Sequence, residues 1–332
     1  MRTFVHLAKT LILGAAVLGI FFAISGFANF TAGHWGETFN HEGSFERTLT
    51  VNGPVRLQVQ TGAGSVHVTR GDAQRVSIVA HIRGRSEERV RAIEQNPPVV
   101  QHGNEIEIGK LSREAQRDIS ISYEVRAPQQ TELQTASGSG NIVVADLDGP
   151  VSASTGSGGL TISGVQHGLT ATTGSGNVHI NHVAGALTTR AGSGSIEVLQ
   201  SGAAVKAQSG SGNVTVDGAG GAVDAQTGSG SIKLNGIHSD LTAHTGSGHI
   251  RAAGSMPSGS RWNLEAASGS IDLDLPTTTA AEVSAHTGSG TVTTSLPITL
   301  TGAVNHHDLH GVIKSADAQL TATTGSGNIR ID

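Results

Sequence analysis

A Gly-Ser-Gly triplet recurs on a fixed period. Its first glycine falls at Gly138, Gly156, Gly174, Gly192, Gly210, Gly228 and Gly246, an 18-residue step each time. A related turn stands at Gly62, and the beat returns at Gly288 and Gly325. Self-similarity at a fixed period of about this length marks a repeat array, in which each unit buries its apolar surface only against its neighbours.

Aligned on the triplet, the repeats form columns. Five residues before it stand Leu133, Val151, Leu169, Leu187, Val205, Val223 and Leu241, and three before it Thr135, Ala153, Ala171, Thr189, Ala207, Ala225 and Ala243. Four after its first glycine stand Ile142, Leu160, Val178, Ile196, Val214, Ile232 and Ile250, and six after it Val144, Ile162, Ile180, Val198, Val216, Leu234 and Ala252. Apolar positions two apart are strand periodicity. Each repeat therefore reads as strand, Gly-Ser-Gly corner, strand, and a second corner near Gly149, Gly164, Gly185, Gly202 or Gly218. Corner glycines supply positive φ or close backbone approach. Equal repeat lengths with like residues in register predict an all-β chain, a parallel β-solenoid of about 18-residue coils, roughly 50 Å long at about 4.8 Å per rung.

The outward positions carry no repeated chemistry. Five residues after the first glycine come Val143, Thr161, His179, Glu197, Thr215, Lys233 and Arg251; four before it come Gln134, Ser152, Thr170, Thr188, Lys206, Asp224 and Thr242. The expectation is that no compact active site exists. If a face matters, it is the row His179, Glu197, Thr215, Lys233 and Arg251, which stacking aligns along the rod.

Residues 1–30 read as a signal peptide or signal-anchor helix: Arg2 and Lys9 precede the apolar run Leu11–Phe30. Gly26-Phe27-Ala28 offers a cleavage site, while about 20 apolar residues suffice to span a bilayer. The product is thus exported: either held in the cytoplasmic membrane through residues 11–30 with its solenoid outside, or released. Residues 31–54 read as a linker and lead-in strand, 55–130 as a first coil with a capping insertion, and 131–332 as the repeat solenoid. Within the insertion, Val76–Ile82, Val99–Ile108 and Ile119–Arg126 read as strands. Ser86–Asn96 reads as a helix with Ser86 as N-cap, ended by Pro97-Pro98. At the far end, Ile329 and Ile331 are expected to close the last coil, with Arg330 and Asp332 as edge charges.

Composition narrows the function classes. The 46 glycines fit a turn-dense solenoid, and the absence of cysteine removes disulfide and thiol chemistry. Without Arg2 and Lys9 the chain keeps 19 basic against 26 acidic residues, a net of −7, which argues against nucleic acid as a partner. Each Gly-Ser-Gly leads into a strand rather than a helix, so it is not a phosphate loop. Calcium-binding repeats carry an aspartate at each turn, where this chain has Asn141, Gly159, Asn177, Ser195, Asn213, Ser231 and His249. His306, His307 and His310 with Asp308 are the densest histidine group, read as a polar loop rather than a zinc site. Glu197, Asp217, Asp224 and Asp240 fall on different coils and columns, so no paired carboxylates for glycan cleavage recur. No catalytic, cofactor or metal residues are expected.

The coils TGSGNV, TGSGSI and TGSGHI, the lead-in FERTLTVNGPVRLQVQTGAGSVHV and the closing TATTGSGNIRI resemble the putative adhesin family of bacterial envelope proteins. The resemblance covers nearly the whole exported region. It implies a β-strand repeat domain without catalytic residues, acting as a non-enzymatic, adhesion-like envelope module with an envelope protein or glycan as partner. Two other readings stand beside it: a polysaccharide-acting β-helix enzyme, and a membrane-tethered regulator of envelope stress.

Overall fold

A computed structural model describes residues 39–332 apart from 113, 117 and 302–304. The expected signal or anchor segment lies outside the described residues. Among those described, no helix is long and apolar enough to cross a membrane.

One coil shows the plan. Val205–Ser209 lies in one sheet, the chain turns at residues 210–212, and Val214–Ala219 lies in the other. Val205 then faces Leu187 on one side and Val223 on the other, while Val214 sits between Ile196 and Ile232. Every such pair is parallel and in register, so the columns of the sequence become rows of stacked side chains. Two sheets result, of 14 and 15 strands, with the aliphatic rows buried between them. The fold is the parallel β-solenoid expected from the period. Alanines such as Ala207, Ala225 and Ala243 line one inner row, leaving room for the larger aliphatics opposite.

The two corners use glycine differently. At the Gly-Ser-Gly corner the demand is close approach: a Cβ on Gly212 would lie 2.2 Å from the carbonyl oxygen of Gly194 on the preceding rung. The second corner has a left-handed residue on every rung from Asp146 to Gly236: Asp146, Gly164, His182, Gln200, Gly218 and Gly236 have φ between 54° and 75°. Only half of these are glycine. Asp146, His182 and Gln200 hold a conformation that costs an L-residue about 1–2 kcal/mol, and the surrounding ladders enforce it.

The chain order departs from the stacking order at both ends. The rung Val55–Thr61/Val66–Arg70 is made first. The chain then steps outside it to lay down Glu105–Ile108 and Ile119–Ala127 as an outer parallel rung, before returning inside with Thr131–Ser137 and Ile142–Ala145. At the other end Ala281–Ser289 and Val292–Thr294 form the outer rung, and Ala318–Ser326 and Ile329–Ile331 come back beneath it. The last coil therefore does not close the stack, contrary to the sequence-based expectation. Ile329 packs between Ile271 and Val292, and Arg330 sits between Asp272 and Thr293.

Antiparallel strands flank the outer rungs. Arg75–Gly84 pairs with Ile119–Ala127 and carries His41–Thr50 on its far side, while Asp308–Ile313 covers Ala281–Ser289. An exposed parallel edge invites pairing with other chains; these strands occupy it, except at the short Val292–Thr294, which is the last strand of its sheet. The helix Glu87–Gln95 packs Val90 and Ile93 into the N-terminal cap. Ser86 holds its N-cap position but makes no side-chain capping bond. The segment Val99–Ile108, read as one strand, is a hairpin turned at Gly103 and Asn104.

The two kinds of corner glycine separate experimentally. Gly212→Ala forces Cβ against backbone that has nowhere to move, and should cost at least about 2 kcal/mol in urea unfolding. Gly218 has φ +75° but open space, its nearest neighbour being the Cα of Gln200 at 3.9 Å. Gly218→Asn should cost under about 1 kcal/mol, because asparagine tolerates the left-handed region.

Candidate functional site

The corners carry two ladders of polar side chains, and both are structural. The residue before the triplet is buried. The Thr173 hydroxyl donates to the carbonyl of Gly158 one rung back at 2.8 Å and accepts the N–H of Gly176 at 3.0 Å. Thr155 and Ser209 repeat both bonds, and Thr227, Thr245, Thr287 and Thr324 repeat the bond to the neighbouring rung. The slot that holds aspartate in calcium-binding repeats is filled by acceptors reaching to the next rung. Asn177 Oδ1 accepts from Ser195 N, Ser195 Oγ from Asn213 N, and Asn213 Oδ1 from Ser231 N. The residues in this slot satisfy backbone rather than an ion.

The row singled out from the sequence is brought together. His179, Glu197, Thr215, Lys233 and Arg251 occupy equivalent positions on successive rungs of one sheet face. His179 Nδ1 lies 2.9 Å from Glu197 Oε2. Arg251 has Asp272 beside it on the next rung. The opposite face is also laced across rungs: Lys206 pairs with Asp224, and Arg190, Gln208 and Gln226 form a hydrogen-bonded chain.

The histidine group near residue 308 is dispersed. Asp308 accepts from Asn305 and pairs with His286, while His307 anchors its backbone N–H on Asn305. The bonds from His286 and then Asn305 hold the Asp308 carboxyl below its usual range. Among the described residues, no three His, Cys, Asp or Glu side chains converge as metal ligands. Tyr123 lies buried in the cap with its hydroxyl unpartnered, and burial pushes its phenol well above the ordinary value.

A concavity absent from the sequence reading lies where the cap meets the solenoid. It measures about 860 Å³ and is lined by Pro54, Arg56, Glu105, Gln130, Glu132 and Gln166 among others. Arg56 stands between two carboxylates in register on adjacent strands: Nε lies 3.4 Å from Glu132 Oε2 and Nη1 2.9 Å from Glu105 Oε1. Glu132 and then Glu105 raise the Arg56 pKa further above its usual value. Arg56 and Glu132 share a column, each six residues before its turn glycine, but Glu105 lies on the out-of-order rung and completes the set only in the fold.

The sequence profile of Toastrack DUF4097 matches residues 55–332, which spans the solenoid and most of its cap. The chain belongs to the Toastrack family. Its TGSG coils, which resemble putative adhesins, are the repeats of this Toastrack domain. Solved structures similar to it include a putative cell adhesion protein from Clostridium sporogenes, at 10% identity and a TM-score of 0.22, covering 88% of this chain and 99% of that one. A putative lipid binding protein from Parabacteroides distasonis is 13% identical with a TM-score of 0.39, covering 86% and 96%. A putative adhesin from Bacteroides fragilis is 11% identical with a TM-score of 0.28, covering 87% and 97%. No curated protein matches the chain.

One substitution made at two threonines tests the hydroxyl ladder of the Toastrack coils. Thr173→Val leaves the Gly176 N–H and the Gly158 carbonyl without their buried partner and should cost about 1–3 kcal/mol. Thr189 is equally buried, but its hydroxyl has no partner. Thr189→Val should raise stability by about 1 kcal/mol. Chemical denaturation of both variants checks the opposite signs.

Proposed function

We propose that this Toastrack protein is a non-enzymatic interaction module of the cell envelope, adhesion-like in its action and exported behind its apolar N-terminal segment. The carrying observation is the division of labour between surfaces. Inward rows repeat the same aliphatics from rung to rung, while the outward row from Val143 to Arg251 changes chemistry at every rung on an open sheet face. An open, laced face suits a broad or multivalent contact, because several weak contacts held on one rigid body act together. It does not suit a reaction that needs a dry, enclosed site with groups of shifted pKa. The partner fitting this reading is an envelope protein or glycan. Uncleaved, residues 11–30 would tether the module to the cytoplasmic membrane.

Within this reading the row His179, Glu197, Thr215, Lys233 and Arg251 is one candidate contact face. Replacing Glu197, Lys233 and Arg251 together by serine removes its charges without touching the core. Binding of the protein to whole cells or envelope fractions should fall by about tenfold, as expected for losing one to two charged contacts, with melting unchanged. Unchanged binding would retire this face. Turnover of any glycan by the purified protein would replace the module with the polysaccharide-acting enzyme, and a single saturable protein partner would favour the envelope regulator.

A further inference from the structure

The groove at the cap junction interrupts the sheet face, and its lining has a consistent chemistry. Its cause is local. Across the first rungs the second corner runs through residues 52–54, 127–130, 148–150 and 166–168, with Pro54, Pro128 and Pro150 setting uneven paths. The hairpin Val99–Ile108 stands at its outer end. A second concavity of about 410 Å³ shares Glu132 and Pro150 with it and continues over Ser152, Thr170 and Thr188. Glu105, Arg56 and Glu132 are in register, as are Gln134, Ser152, Thr170 and Thr188. The combined trough therefore runs along the stack, with a polar side chain about every 4.8 Å.

Three features select the ligand. First, Arg56 stands between Glu105 and Glu132, and Asp148 also lines the groove, so carboxylates outnumber the cation and an anionic ligand is repelled. Second, the floor strand Val55–Thr61 is paired on both sides, so a peptide cannot add to it as an extra strand. Third, the remaining lining is amide, hydroxyl and proline: Gln130 and Gln166 present exposed side chains, and Pro54 and Pro150 offer small C–H faces. Planar amides both donate to and accept from vicinal hydroxyls, and carboxylates accept from them. A linear sugar chain repeats its hydroxyls at close to the rung interval.

We propose that this trough is a binding site for a linear glycan of neutral or amino-bearing sugars, laid along the solenoid axis from Glu105 towards Thr188. Arg56, held between Glu105 and Glu132, would donate its remaining N–H groups to ring or hydroxyl oxygens. Gln130 and Gln166 would contact successive units. The proposal rests on the interaction-module reading, and the two fail differently.

The test titrates the full chain with three tetrasaccharides, followed by calorimetry: chitotetraose, its de-acetylated glucosamine counterpart, and tetragalacturonate. One of the first two should bind, and tetragalacturonate should not. The double variant Gln130→Ala/Gln166→Ala changes only exposed side chains and should weaken binding about tenfold, the equivalent of losing two hydrogen bonds. The variant lacking Glu197, Lys233 and Arg251 should bind the glycan as the parent does, and melting should be unchanged in both. The proposal is overturned if none of the tetrasaccharides binds at millimolar concentration, if tetragalacturonate binds as tightly, or if the double variant binds unaltered while folded. Cleavage of a bound tetrasaccharide would sink the non-enzymatic reading and leave the groove standing. A protein partner captured without any glycan binding would do the reverse.

Discussion

At the Gly-Ser-Gly corner, backbone meets backbone with no side chain between them, and the rest of the solenoid is built on that approach. The first and third glycines of each triplet sit so close to the previous rung that a Cβ would lie 1.7–2.6 Å from a carbonyl oxygen along the regular repeats. This contact fixes the rung spacing at the corner. Parallel strand pairing then carries the same spacing across both sheets. With spacing and register fixed, each aliphatic row becomes a continuous column of contacts, and the buried hydroxyl before the triplet finds the carbonyl of the neighbouring rung wherever threonine or serine such as Thr155, Thr173, Ser209, Thr227 and Thr245 stands there. The inside is therefore nearly identical in every coil, because each coil must fit the one beneath it. No such demand reaches the outside.

The ends obey a different constraint. A stack of parallel coils leaves unpaired backbone at each terminus, and this chain handles both termini alike. It lays an outer rung out of order, returns beneath it and adds antiparallel strands beyond. At the N-terminal end this detour uses a hairpin and a helix and leaves the trough beside Arg56. At the C-terminal end it locks the final residues between two rungs laid down earlier. Departures from the stacking order are thus confined to the ends, and the concavity beside Arg56 arises at such a break.

The periodic part of the fold was legible in the sequence because the period itself sets the register. Once Val205 is aligned with Leu187 and Val223, the strands, both corners and the alignment of His179 with Glu197 follow. Stacking order was not legible. Ile329 and Ile331 fit the inner columns on any rung, and nothing local in Ile329–Ile331 says that Val292–Thr294 will lie outside it. The structural role of Thr173 was hidden for a related reason: alternation from Leu169 and Ala171 turns it inward, but its partners exist only once the neighbouring rung's carbonyl is placed. The left-handed column was masked by Asp146, His182 and Gln200 standing where glycine would have marked it. The trough was invisible because Glu105 comes from a rung laid down out of order, so nothing local places it beside Arg56 and Glu132.

If the 18-residue coil is the structural unit, adding a whole one should be tolerated and adding part of one should not. Residues 205–222 form one complete coil from the regular middle of the stack. Their tandem duplication places identical rows on identical rows and should give a protein that melts at or above the parent temperature, longer by about 4.8 Å in solution scattering. A control insertion lacking Thr215 turns Val216 outward and Asp217 inward in the added strand, against the aliphatic row on either side, and should melt well below the parent. Equal tolerance of both insertions, or equal loss with both, would contradict the account.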